Sequence, residues 1–124
     1  MDTRRPPLSL LAAALVSLCL AACGSSTTVG KDGTLRIALS EYRVIPQDVH
    51  TTAGVLTLVV HNYGRLTHDL VISLDGQPEI ASQPIPPGQT QVLSAALIPG
   101  RYLMASSILS DQALGAYGTL DVGS

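Results

Sequence analysis

From Thr34 onward, apolar and polar side chains alternate with a period of two, and nothing beyond Cys23 sustains a 3.6-residue apolar stripe. Successive side chains of a strand point to opposite faces, so this alternation predicts strands with one face turned to a core. Leu35, Ile37 and Leu39 alternate with Thr34, Arg36 and Ala38. Residues 55–60, VLTLVV, are apolar and β-branched, as expected of a strand buried on both faces. Further strands are expected over 69–74, 90–97, 101–106 and 117–122. The breaks between them carry turn chemistry at Pro46, Ala53-Gly54, Asp75-Gly76, Pro86-Pro87-Gly88 and Pro99-Gly100. Short strands at this spacing predict an all-β sandwich or barrel.

The N-terminal part has a different pattern. Arg4 and Arg5 precede the apolar run LSLLAAALVSLCL over 8–20, and Ala21-Ala22 leads into Cys23. A positive segment, a short apolar run and small residues predict a secretory leader over 1–22. The run is too short for a comfortable membrane span, which needs roughly 20 residues. Leu20-Ala21-Ala22-Cys23 resembles the bacterial lipobox. That resemblance implies a diacylglycerol on the Cys23 thiol and cleavage ahead of it. Two or more acyl chains make such an anchor stable. The expected location is the cell envelope, on the outer face of the cytoplasmic membrane or in the outer membrane facing the periplasm. Residues 23–33 then read as a lipidated, flexible tether, because GSSTTVGKDG is small, polar and glycine-bearing. It is expected to lift a domain spanning 34–124 clear of the lipid.

Composition narrows the function classes. Of seven basic and nine acidic side chains, five and eight remain after residue 22, with no basic block, so nucleic acid is not an expected partner. Four Tyr and no Phe or Trp leave an aliphatic core and few aromatic platforms. The two cysteines are Cys19 in the leader and Cys23. A domain cleaved before an acylated Cys23 has no free thiol, so it can hold no disulfide, zinc-thiolate site or cysteine nucleophile.

The order of short motifs is similar to that of the cupredoxins, the blue-copper Greek-key sandwiches. Sulfocyanin-like proteins and the cupredoxin-like domains of periplasmic iron-uptake proteins resemble it most. The landmarks are Glu41-Tyr42-Arg43-Val44-Ile45-Pro46, Thr52-Ala53-Gly54, Asn62-Tyr63-Gly64 and Thr67-His68-Asp69-Leu70-Val71-Ile72. They continue with Pro87-Gly88-Gln89-Thr90, Pro99-Gly100-Arg101-Tyr102 and Gly115-Ala116-Tyr117-Gly118-Thr119-Leu120. The resemblance covers 34–122 and implies an all-β Greek-key sandwich of about seven to eight strands. It also implies four copper-ligand positions: His68 for the first His, Ser106 for the Cys, Asp111 for the second His and Ala116 for the Met. The spacing of the last three is kept, but the ligands are not. Blue copper needs a thiolate, and the Ser106 hydroxyl does not replace it.

His68 is therefore expected to order a loop by hydrogen bonds, and no cofactor is expected. The alternative is a weak copper site of His68, Asp111 and Met104, with Asp69 nearby, although Met104 sits in strand register as a core filler. His50 and His61 are expected at the surface or on sheet edges, with no metal spacing linking them. Ser106, Ser107 and Ser110 lie near Asp111 in sequence without a G-x-S-x-G elbow, so the chain is not expected to be an enzyme. The reading that results is a membrane-anchored binding or assembly module with a degenerate copper site. Its contact surface would be the 106–116 loop, and its partner another envelope protein or a small ligand. The alternative is a weak copper-binding or copper-transfer protein using His68.

Overall fold

A computed structural model describes residues 25–108 and 111–124. The predicted leader, Cys23 and Ser110 lie outside the described residues. Among the described residues, ten strands form two packed sheets. They are β1 (Ser26–Thr28), β2 (Thr34–Ser40), β3 (Arg43–Ile45), β4 (Asp48–Thr52), β5 (Gly54–Asn62), β6 (Val71–Leu74), β7 (Gln77–Ala81), β8 (Thr90–Leu97), β9 (Gly100–Ala105) and β10 (Tyr117–Gly123). The larger sheet runs β1-β4-β10-β9-β6-β7 and the smaller β3-β2-β5-β8. β1 with β4, β4 with β10 and β2 with β5 pair in parallel; the other ladders are antiparallel. Among the described residues, no helix is long and apolar enough to cross a membrane.

The alternation read from the sequence is the packing pattern. Leu35, Ile37 and Leu39 of β2 face inward with Leu56, Leu58 and Val60 of β5. Tyr102 and Met104 of β9, Ile72 of β6 and Leu120 and Val122 of β10 meet them from the other sheet. Burying each large apolar side chain contributes about 1.5–3 kcal/mol, so this largely aliphatic layer, with Tyr102 its one aromatic member, is the main force joining the sheets. Met104 is a fully buried member of that layer.

Three expectations change. β5 is buried on one face only: Val55 is 70% exposed, and Thr57 and Val59 are half-buried. The outer face of the smaller sheet is open to solvent, and β-branched residues suit such a half-exposed pleat. Ten strands replace the expected seven to eight, because β1, β3, β4 and β7 bury little. β3 and β4 turn only Val44 and Val49 fully inward around the break at Pro46. β7 contains Pro78, tolerated because β7 is an edge strand whose register shifts beside that residue. Finally, the stretch expected to be a free tether is in part sheet. Ser26–Thr28 pairs with β4, and the Val29 N–H donates to the His50 carbonyl at 2.9 Å.

Candidate functional site

One end of the sandwich gathers the ends of β5 and β9 and the starts of β6 and β10. His68 lies on the loop from β5 to β6, while Ser106, Asp111 and Ala116 lie on the loop from β9 to β10. These four sequence-predicted positions converge. The Ser106 N–H donates to the Ala116 carbonyl at 3.1 Å, and the Ala116 N–H to the Asp111 carbonyl at 2.9 Å. The loop thereby closes on itself and turns the Asp111 carboxyl inward, where the residue is only 7% exposed.

Asp111 is the hub. Its Oδ2 lies 2.7 Å from His68 Nδ1 and accepts from Ser106 Oγ, also at 2.7 Å. Ser106 Oγ is in turn 3.2 Å from Asp69 Oδ1. Asp69 accepts from the Ser107 N–H at 2.6 Å and from the Ser107 hydroxyl. The His68 main chain forms a two-way bridge with Ile85, its N–H donating at 3.2 Å and its carbonyl accepting at 2.7 Å. Buried polar groups are costly unless paired, so this closed set of donors and acceptors is what permits His68, Asp69, Ser106 and Asp111 to sit inside. The exception is His68 Nε2, which is buried, has no hydrogen-bond partner among the described residues and lies 3.5 Å from Glu41 Oε1.

Glu41 was legible in the sequence only as part of a motif; its role is to clamp the loop after β5. Its Oε1 accepts from the N–H groups of Leu66 at 2.9 Å and Arg65 at 2.5 Å. Chiefly the Leu66 N–H, then Glu41's own and the Arg65 N–H, hold its carboxyl down to about 2, with a smaller contribution from His68. Gly64 makes the clamp possible, since a Cβ there would run into the Glu41 carboxylate. Asn62 fixes the same loop from inside, accepting from the Gly64 N–H at 2.8 Å and donating to the carbonyls of Leu66 and Ile85, each at 2.8 Å.

The donor set does not fit a blue-copper ion. Ser106 supplies a hydroxyl instead of a thiolate, Ala116 supplies no donor, and the Asp111 oxygen nearest His68 already takes two hydrogen bonds. Among the described residues, no group of three or more His, Cys, Asp or Glu side chains is arranged to hold a metal. Met104 belongs to the aliphatic core. The set also lacks the order of a nucleophilic relay. In such a relay the serine hydroxyl is hydrogen-bonded to the histidine that takes its proton, whereas here the Ser106 hydroxyl donates its hydrogen bond to a carboxylate that separates it from His68. His50 is exposed and pairs with Asp121 at 3.6 Å. His61 bonds Thr90 Oγ1 at 2.6 Å and packs against the Tyr63 ring, so neither joins the site.

No protein-family model and no curated protein matches the chain. Its fold is similar to that of several solved copper proteins. Reduced auracyanin from the photosynthetic bacterium Roseiflexus castenholzii aligns with a TM-score of 0.70 at 18% identity, over 77% of this chain and 100% of that one. Auracyanin A, a blue copper protein from Chloroflexus aurantiacus, aligns at 0.64 with 15% identity, over 77% and 99%. Rusticyanin from Thiobacillus ferrooxidans aligns at 0.64 with 12% identity, over 78% and 81%. The domain therefore has a cupredoxin-like β-sandwich fold.

Proposed function

We propose that the chain is a lipid-anchored envelope protein whose cupredoxin-like domain is a binding or assembly module without a type 1 copper site. The observation that carries this reading is the position of Asp111. Where a blue-copper domain would need a metal ligand, its carboxylate is bonded to both His68 and Ser106. A hydrogen-bonded hub of this kind rigidifies the loops around it, which suits a surface that must keep its shape for a partner. The 106–116 loop supplies that surface, with Leu114 57% exposed beside the buried hub. The lipobox resemblance of Leu20-Ala21-Ala22-Cys23 supports lipid on Cys23, which would hold the domain at the envelope. Titration of the soluble chain from residue 24 with Cu(I) and Cu(II), beside His68→Ala, tests the reading. We expect no micromolar binding and no intense blue colour. Micromolar or tighter binding abolished by His68→Ala would overturn it.

The second reading, a weak copper carrier, draws on one feature. His68 Nε2 has no hydrogen-bond partner among the described residues, and the Glu41 carboxylate stands 3.5 Å from it. In that case Glu41→Gln would weaken copper binding along with His68→Ala.

A further inference from the structure

The direction of β1 determines which end of the domain an anchor at Cys23 would hold against the membrane. Only Gly24 and Ser25 separate Cys23 from the first residue of β1. Fully extended, the three steps from Cys23 to Ser26 reach about 11 Å at roughly 3.6 Å per residue. A free tether running to residue 33 would reach about three times farther. Ser26 pairs with Asp48 at the start of β4, and Asp48 pairs with Thr119 near the start of β10. The start of β10 lies opposite Ala105, the last residue of β9 before Ser106. β1 therefore enters the sheet from the end that carries His68, Ser106 and Asp111. Ser25 lines the same cleft as Tyr42, Arg43 and Gly115 at that end.

We infer that this end of the sandwich is a membrane-docking face whose occupant is the phospholipid surface itself. The inference rests on the lipid-anchor reading above, adds the orientation and makes the membrane the partner that the 106–116 loop meets. Tyr42, Leu66 and Leu114 are all about half exposed there. Glu41 and Gly115 bring them together: the Glu41 carboxylate accepts from the Leu66 N–H, and a Cβ on Gly115, next to Leu114, would meet the Tyr42 carbonyl. Exposed Arg43 and Arg65 flank this group. Tyr and Leu beside Arg suit an interface in which rings and alkyl groups enter the headgroup region and guanidinium groups meet lipid phosphates. The acidic groups of this end are largely withdrawn from that encounter. Asp69 and Asp111 are buried in the hub and Glu41 is bound to loop N–H groups, leaving Asp48 exposed.

The test uses the full lipidated chain in vesicles of phosphatidylethanolamine and phosphatidylglycerol, with acylation of Cys23 verified by mass spectrometry. Acylated Cys23 leaves the mature chain without a free thiol, so Leu114→Cys and Ile98→Cys each accept a single fluorophore. Ile98 is exposed on the turn from β8 to β9, at the opposite end. Spin-labelled headgroups should quench the probe at 114 severalfold more than the probe at 98. Inserting about ten Gly/Ser residues between Gly24 and Ser25 should reduce the difference without abolishing it, because a coil of that length lowers the effective concentration of the face at the surface and leaves the face itself intact; loss of the difference would assign the orientation to the short tether and overturn the docking face. Equal quenching with Cys23 acylated overturns the orientation alone and returns this face to a protein partner. A mature chain with unmodified Cys23 overturns the anchor and the orientation together.

Discussion

Replacing Asp111 with alanine removes the acceptor shared by His68 Nδ1 and Ser106 Oγ, and the structure sets how much each loss should cost. Ser106 Oγ has a second carboxylate within reach, Asp69 Oδ1 at 3.2 Å, so its hydroxyl can turn and remain paired. Among the described residues, His68 Nδ1 bonds Asp111 alone, and His68 is only 1% exposed. One orphaned buried donor costs about 1–3 kcal/mol, and the weaker replacement bond at Ser106 adds a fraction more. Asp111→Ala should therefore lose about 2–3 kcal/mol, a large share of the roughly 5–15 kcal/mol that holds a domain folded. Ser106→Ala leaves the His68–Asp111 bond and both Ser107–Asp69 bonds intact and should cost about 1 kcal/mol. Asp111→Asn retains an acceptor oxygen and should fall near Ser106→Ala. Urea unfolding followed by far-ultraviolet circular dichroism measures all three, with unchanged m-values expected. An Asp111→Ala protein as stable as the parent, or no less stable than Ser106→Ala, would refute the hub argument.

Three further outcomes are expected. Ser106→Cys combined with Asp111→His and Ala116→Met puts a thiolate, an imidazole and a thioether at the three converging loop positions; copper should then produce an intense blue absorption, and a colourless complex would contradict the mapping of those positions. Glu41 should titrate near 2 instead of 4.5 by carbon-detected NMR. Because its pKa is lower folded than unfolded, the stability it contributes is present above about 4.5 and is lost as pH falls toward 2, read as faster amide exchange at Arg65 and Leu66. Gly115→Ala should destabilise the domain by about 1–3 kcal/mol in thermal unfolding, since φ is 118° and the new Cβ would stand 2.8 Å from the Tyr42 carbonyl oxygen.

What could be read in the residues follows from how local each signal is. Leu35, Ile37 and Leu39 announce β2 because alternation is a property of neighbours in the chain. β7 does not announce itself: Pro78 and Glu79 interrupt the pattern, and its place depends on hydrogen bonds to β6. β1 is three polar, exposed residues whose only reason to be a strand is the open edge of β4. At the site, the even spacing of Ser106, Asp111 and Ala116 foretold a full-length loop with the wrong donors for copper. It could not foretell that Asp111 would bond His68, 43 residues away. The part played by Glu41 was hidden for the same reason, because the N–H groups it serves are 24 and 25 residues distant. No residue-type rule links a carboxylate at the end of β2 to a loop after β5.

The His68 ring offers the most direct measurement. Long-range nitrogen–proton NMR on the soluble chain from residue 24 reports which ring nitrogen carries the proton and whether copper perturbs it. A His68 engaged with the Asp111 carboxylate should carry a proton on Nδ1, protected from exchange, and its signals should persist when one equivalent of Cu(I) or Cu(II) is added. A bare Nδ1, or loss of the His68 signals at stoichiometric copper, would contradict the claim that this end of the sandwich is closed by hydrogen bonds instead of metal.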